Sequence, residues 1–470
     1  MANEAAAETL SPQIVAEAID LLPLTKRLGF ITSAGAMGYF CDSFDIVVIA
    51  YAMPSIALAF HLAPAQLGLI GSAGLAGMAV GSWIWGWVAD RWGRAAVFAS
   101  TVLMFSLFTG VAALSYSAGF LIGARFLTGL GLGGTIPVSQ ALVTEYSPAA
   151  LRGRVGGLLP LSWPAGIFAA AGVGLLVVPT LGWRWLFVVG AFPAILAYVV
   201  RRVVPESPRW LASKNRFEEA RKSLRYIGIG EEELKRAKAA LATRPVPPIV
   251  EEARFSDLFT PEYARRVIHT WSMWFFSSLS GWAFVVWLPS IYAGIYHIAL
   301  TRTLFYTFIV AGASVLGRFM AFELVDRIGR KPVMVGGFLL GGIAAWLFTA
   351  ATTQWALVSV AVLYAFFGDQ GALAMTVYTP EVYPLKIRGL GTAWAMALGR
   401  IAGVVSPLIV GLLVGTGKIS LVWWSMGTSM MIAAVLSLWL AFETKGLNLE
   451  RVSEISKARE GAARPAQRPA

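Results

Sequence analysis

Apolar runs of membrane-spanning length constrain this chain more than any other feature. They fall near residues 29–58, 66–89, 96–115, 119–141, 154–178 and 185–203, and then near 267–293, 301–325, 332–351, 355–378, 389–415 and 420–442. A polar segment, 204–265, separates the two sets. A helix needs ~20 apolar residues to cross the hydrocarbon core. The pattern predicts an all-α membrane protein with twelve transmembrane helices in two six-helix halves.

Composition excludes the main alternative. Of 470 residues, 57% are hydrophobic and 14% charged, against ~25% charged in a soluble domain. A core of this size cannot hide that excess, so a soluble enzyme is ruled out. The net charge of +12, from 38 basic and 26 acidic residues, points to positive-inside loops and not to nucleic acid. One set of connections holds Arg91, Arg94, Arg152, Arg154, Arg327, Arg330, Lys331, Lys386 and Arg388; the other holds only Arg184, Arg302 and Lys418. The first set, with both termini, is therefore expected on the cytoplasmic side. With Glu4, Glu8, Glu17 and Asp20 in place of a basic n-region and apolar run, no signal peptide is expected. The single Cys41 excludes an intrachain disulfide, and His61, His269 and His297 are scattered. No metal, cofactor or catalytic residue is expected.

The expected organisation is a cytoplasmic N-terminus over 1–28, a first half over 29–203, a cytoplasmic linker over 204–265, a second half over 266–443 and a tail over 444–470. Residues 13–24 read as an amphipathic segment lying at the membrane interface. RFEEARKSLRYI and EEELKRAKAAL read as short charged helices of a solvated linker, and 456–470 as disordered.

Self-similarity orders the halves. Asp90-Arg91-Trp92-Gly93-Arg94 recurs 236 residues later as Asp326-Arg327-Ile328-Gly329-Arg330. Glu145-x-x-Pro148-x-x-x-Arg152-Gly153 recurs at the same offset as Glu381-x-x-Pro384-x-x-x-Arg388-Gly389. Pro205-Glu206-Ser207 is echoed by Phe442-Glu443-Thr444 at an offset of 237. Two parallel repeats place a substrate path between the halves near the midplane.

GWVADRWGR (86–94), RFLTGLGLGG (125–134), PESPRWL (205–211) and FETKG (442–446) resemble motifs of the major facilitator superfamily, over roughly residues 24–450. Ala95, Ala96 and Phe322 depart from its loop motifs. LLPLTKRLGF followed by CDSFDIVVIAYAMPSI, with PESPRWL, resembles the nicotinate transporter and aromatic acid:proton symporter branch. AMALGRIAGVVSPLIV (395–410) is similar to helix 11 of organic anion carriers, in which an arginine faces the cavity. The resemblance implies transport by alternating access.

An ionisable residue at bilayer depth costs ~2.5–3.5 kcal/mol on insertion scales. Asp42 and Asp45 share one helix face at i and i+3, ~22–28 Å along the helix from Lys26-Arg27. Buried carboxylates close together can hold a proton at neutral pH, so either is expected to couple transport to protons; the alternative is a bond to a basic neighbour such as Arg125. Arg400, ~16 Å beyond Gly389, suits a substrate carboxylate, or else a salt bridge to Asp369. Arg125 and Arg318 lie nearer helix ends and are expected to snorkel. Trp271, Trp274, Ser278 and Trp282 form a stripe, Tyr39 lies one turn before Asp42, and Trp163 sits at mid-depth. Such rings suit an aromatic substrate. Glycines 71, 74, 77 and 81, and 129, 131, 133 and 134, predict close helix packing. No Lys-Ser/Thr follows the second run, which excludes a nucleotide-binding loop.

Asp90, Arg91, Arg94, Glu145, Arg152, Asp326, Arg327, Arg330, Glu381 and Arg388 are expected to gate by latching the halves. The whole predicts a monomeric integral protein of a bacterial inner (plasma) membrane that takes up a small organic anion with protons, an aromatic monocarboxylate such as nicotinate or a benzoate. Tyr39, Trp274, Ser278, Asp369 and Arg400 are its expected substrate contacts. An organic cation or zwitterion carrier, or a sugar-porter-like carrier, is the alternative.

Overall fold

The structure, a computed structural model, describes residues 10–22, 25–243 and 254–446. Among them are twelve helices long and apolar enough to cross a membrane: Lys26–Phe60, Pro64–Trp92, Arg94–Ala112, Ala118–Tyr146, Ala149–Leu181, Trp183–Val203, Pro261–Gly294, Leu300–Arg327, Arg330–Ala350, Gln354–Val382, Arg388–Gly415 and Ile419–Leu440. They are called spans 1 to 12 below. Each coincides with one of the apolar runs to within a few residues, and most extend beyond it at one end or both. Hydroxyl caps start several of them. Ser117 Oγ accepts from Phe120 N–H at 3.3 Å and Thr353 Oγ1 from Ala356 N–H at 3.2 Å, which satisfies donors that a helix start leaves open. Pro54, Pro137, Pro289 and Pro407 lie inside spans, as membrane helices tolerate where neighbours re-satisfy the freed carbonyls.

The chain divides into two compact units, residues 1–60 with 73–247, and residues 61–72 with 248–470. In the first unit, spans 2 and 4 meet backbone to backbone. A Cβ on Gly77 would strike Phe126 O, on Gly81 Leu130 O, on Gly129 Gly74 O and on Gly133 Met78 O. Small residues one turn apart on both helices permit this approach, and packing is what drives association in lipid. Gly131 meets span 3 at Phe105 N, 2.6 Å from an added Cβ. In the second unit Gly317 plays the same part against Phe366 O, between spans 8 and 10. Phe322 stays out of that contact and faces outward.

Gly71 is closely packed as expected, but its neighbours are not on span 4. Residues 61–72 are part of the second unit, where a Cβ on Gly71 would meet Val286 at 2.9 Å and Pro407 at 3.2 Å. Ser72 Oγ donates to Val404 O at 2.6 Å.

The N-terminal segment and the linker pack together. Pro12–Asp20 is a helix whose Val15, Ala18 and Ile19 are buried against the linker helices Pro208–Ser213 and Glu231–Thr243. Its apolar face is covered by these linker helices. Asp20 accepts from Ala149 N–H at 2.7 Å, at the start of span 5, and stands 3.5 Å from Arg152 and 3.9 Å from Arg209. Burial and the neighbouring Arg152 hold the Arg209 guanidinium below its ordinary pKa. The linker is a folded layer, not a solvated strap. Phe217–Ile227 buries Ala220, Leu224 and Ile227 and ends on Gly228 at φ 100°. Arg27, at the start of span 1, donates to the last carbonyls of that helix, Arg225 O at 3.3 Å and Tyr226 O. Residues 244–253 and the tail 456–470 lie outside the described residues.

The glycine contacts predict opposite signs for one substitution at two sites in span 4. Gly129→Ala forces a Cβ into the Gly74 carbonyl and is expected to lower the thermal midpoint in detergent or abolish monodisperse protein. Gly123→Ala meets nothing within 4 Å and gains up to ~1 kcal/mol of helix propensity. Equal midpoints for the two variants would refute the packing role.

Candidate functional site

The first buried charge cluster joins spans 1, 3 and 4. Asp45, 0% exposed, lies 2.8 Å from Arg125, 1% exposed. Arg125 also donates to the backbone carbonyl of Asp45 at 3.1 Å, and Thr109 donates its hydroxyl proton to the carboxylate. Phe187 lies under the guanidinium, 6.0 Å from ring centroid to Cζ. Arg125 thus turns inward, contrary to the expected snorkelling. A carboxylate alone would be too costly at this depth; the fork of Arg125 neutralises it and fixes its direction. Asp42 is also fully buried, one turn earlier on span 1. Tyr39 donates from its hydroxyl to Gln140 Oε1 at 3.0 Å, which ties span 1 to span 4.

The second cluster lies in the other unit. Asp369, at mid-length in span 10, is 2.8 Å from Arg318 of span 8 and accepts from Ser314. The alternative reading of Arg400 gave it this acid as partner; the acid pairs with Arg318, which turns to it and does not reach for the helix end. This pair is wetter than the first, with Asp369 21% and Arg318 15% exposed. Tyr364 and Ser280 share a hydrogen bond of 2.7 Å one turn away.

Arg400 sits on span 11, where that helix touches span 7. A Cβ on the adjacent Gly399 would come within 2.8 Å of the Trp274 ring and 2.9 Å of Ser278 Oγ, and one on Gly403 within 2.9 Å of Trp282. Three members of the predicted stripe therefore lie along span 11. Trp274 is oriented by its Nε1–H, which donates to Thr379 Oγ1 at 2.9 Å. Trp271 lies apart from them in an aromatic cluster with Phe259 and Trp394.

The repeated charged motifs fold into two matching corners. Arg94 is 2.9 Å from Asp90 and 3.0 Å from Glu145, and donates to Ala89 O at 2.6 Å. Arg330 is 3.0 Å from Asp326 and 3.0 Å from Glu381, and donates to Val325 O at 3.0 Å. These pairs close within each unit, so they brace it. Arg91 stacks over Trp87 at 3.8 Å, Arg327 pairs with Glu323 at 3.1 Å, Arg152 reaches Asp20, and Arg388 donates to Tyr383 O at 3.2 Å.

The residues that complete these corners are Glu206 and Glu443, which sequence reasoning noted only as an echo. Glu206 accepts from the N–H groups of Arg94, Ala95 and Ala96 at 2.6, 2.9 and 3.2 Å. Glu443 accepts from Arg330 and Lys331 at 2.9 and 3.1 Å. Each carboxylate caps the start of a span from another helix end, where N–H groups and the helix dipole favour an anion. Gly93 at φ 102° and Gly329 at φ 104° make room, since a Cβ on either would strike the capping carboxylate. Thr109, Thr379 and Gln140 were also missed, because a hydroxyl or amide within an apolar run carries no local signal of its partner. Among the described residues no group of three His, Cys, Asp or Glu side chains could hold a metal ion.

Comparison with known proteins agrees with this architecture. The chain matches the family described as sugar (and other) transporter over residues 31–455. It is 33% identical to the niacin transporter NiaP of Acinetobacter baylyi, in an alignment covering 92% of this chain and 98% of that one. It is 27% identical to the 4-hydroxybenzoate transporter PcaK of the same organism, covering 90% and 92%. Its fold is similar to that of the xylose transporter XylE from E. coli, with a TM-score of 0.73 at 21% identity, covering 91% and 99%. Twelve spans in two repeated halves, with a family match along most of their length, make the chain an integral membrane transporter that belongs to the sugar (and other) transporter family of the major facilitator superfamily.

Proposed function

We propose that the protein is a proton-coupled carrier of a small aromatic monocarboxylate of the nicotinate or benzoate type, working by alternating access with the basic loops in the cytoplasm. The observation that carries the reading is the meeting of spans 7 and 11: Gly399 touches Trp274 and Ser278, which brings Arg400 to the level of an oriented indole and a hydroxyl. A guanidinium takes a carboxylate through two parallel hydrogen bonds, and an indole face takes an aromatic ring. Two relatives named for aromatic acids, niacin and 4-hydroxybenzoate, support that substrate class. The Arg318 partner of Asp369 compensates the acid that a cationic substrate would need.

Proton coupling is assigned to the acids of span 1, with Asp45 first. A proton on Asp45 would cancel its charge and release Arg125, so the tie between spans 1 and 4 becomes conditional on protonation. Asp42 is the second acid. The corners around Arg94 and Arg330 would act in gating by keeping each half rigid while it moves.

Three outcomes test this. Asp45→Asn should abolish uphill uptake of the acid and retain counterflow exchange, which needs no net proton movement; unchanged accumulation in both Asp45→Asn and Asp42→Asn would overturn the assignment. Arg400→Ala should weaken carboxylate binding ten- to a hundredfold, as expected for loss of a charge-assisted contact of ~1.5–3 kcal/mol, and Arg400→Lys should not restore it. Retained acid affinity in Arg400→Ala, with loss of quaternary-amine binding in Asp369→Asn, would favour a cation carrier. In the corners, Asp90→Asn should change stability by under ~1 kcal/mol, because Asp90 is exposed and Arg94 keeps Glu145. Glu206→Ala should cost more than ~2 kcal/mol by leaving several donors open. Thermal unfolding in detergent compares them, and the reverse order would refute the capping role.

A further inference from the structure

Span 6 ends in two adjacent arginines. Arg201 and Arg202 are exposed in its last turn and have no carboxylate partner among the described residues. Beside them opens a cavity of about 500 Å³, lined also by Trp92, Glu206, Arg216 and Tyr226. Glu206 is spent on the start of span 3. Arg216 is held by Glu219 through two bonds of 2.7 and 2.6 Å. With Arg216 balanced by Glu219, Arg201 and Arg202 outweigh Glu206 and leave the cavity lining net positive.

The internal repeat supplies a control. At the offset that aligns Glu206 with Glu443, Arg201 and Arg202 correspond to Leu438 and Trp439, both exposed. The second corner caps its span equally well with those apolar residues in place. Bracing the corner therefore does not call for arginine. Helix-dipole complementarity applies to both spans and does not explain the difference either.

The surroundings identify what the arginines face. Below Arg202 on the same helix face come Tyr198 and Ile195, four and seven residues back, both exposed. The Arg202 guanidinium lies 5.4 Å from the Tyr198 ring. Trp92, 72% exposed, stands at the rim of the cavity. Exposed apolar and aromatic side chains leading up to unpaired arginines and a polar cavity match the profile of a lipid, with acyl chains along Ile195 and Tyr198 and the headgroup at the arginines. Aromatic residues favour the headgroup level, and basic pockets beside spans bind acidic headgroups. We propose that this cavity, between the ends of spans 2, 3 and 6 and the linker helix Phe217–Ile227, is a binding site for the phosphodiester of an anionic phospholipid.

The test counts lipid retained by the full-length protein. Protein is equilibrated with vesicles of equal phosphatidylglycerol and phosphatidylcholine, extracted, and examined by native mass spectrometry. The parent should retain phosphatidylglycerol in preference, about tenfold or more. R201Q/R202Q should lose that preference, and R201K/R202K should keep most of it because the charge is preserved. L438Q/W439Q should leave it unchanged. Thermal midpoints in phosphatidylcholine alone check that each variant is folded, and if R201Q/R202Q is not, the lysine pair is compared with R201E/R202E, which should exclude phosphatidylglycerol. Equal retention by parent and charge-removed variants would overturn the proposal. Displacement of the lipid by soluble glycerol 3-phosphate at matched concentration would also overturn it, assigning the cavity to a free organic phosphate.

Discussion

Charges placed inside a hydrocarbon slab have to be neutralised by protein, and the two ion pairs within the spans, one buried and one half-buried, show how differently that can be done. Asp45 and Arg125 are sealed, with Thr109 filling one of the remaining lone pairs and Phe187 beneath the guanidinium. Removing one partner of such a pair leaves a bare charge, which costs several kcal/mol. Spans 1, 3 and 4 are thus committed to one arrangement for as long as both groups are ionised. Asp369 and Arg318 carry more exposure and a lighter shell. Their desolvation cost is smaller, and their hold on spans 8 and 10 is correspondingly weaker.

The duplication explains much of what surrounds these pairs. Each half builds the same corner from an arginine, two acids and a capping glutamate that arrives from the end of its sixth helix. A single corner solves two problems at once. It satisfies the open N–H groups of a helix start, and it fixes the direction in which the chain turns back into the membrane. The halves differ elsewhere. At the offset of the repeat, Arg318 and Asp369 replace Ser82 and Gly133, so the second half has an ion pair where the first has backbone contact between spans 2 and 4. Arg201 and Arg202 against Leu438 and Trp439 is the other such difference.

Much of this was legible in one dimension. The twelve spans follow from run length, because a membrane helix is recognised by how many apolar residues it strings together. The repeat follows from charged motifs at a common offset, and the family from the motifs themselves. The depth of Asp42, Asp45, Asp369 and Arg400 follows from rise per residue. The packing of Gly77, Gly81, Gly129 and Gly133 follows from spacing, since small residues one turn apart have to lie on one face.

Partner choice was left open by the sequence. Arg125 was expected to snorkel, with a bond to an acid of span 1 as the alternative, and it meets Asp45; a bridge from Arg400 to Asp369 was one of two readings, and Asp369 holds Arg318. Gly71 packs closely, as its spacing predicts, but on spans 7 and 11 where Gly77 packs on span 4. The N-terminal helix packs its apolar face on the linker, a contact that its own sequence does not specify. In each case the sequence determined that a group sits at a given height on a given helix. Which neighbour it meets depends on how each helix is rotated and how closely it approaches, and that is settled only when the glycine contacts of all the spans are made together.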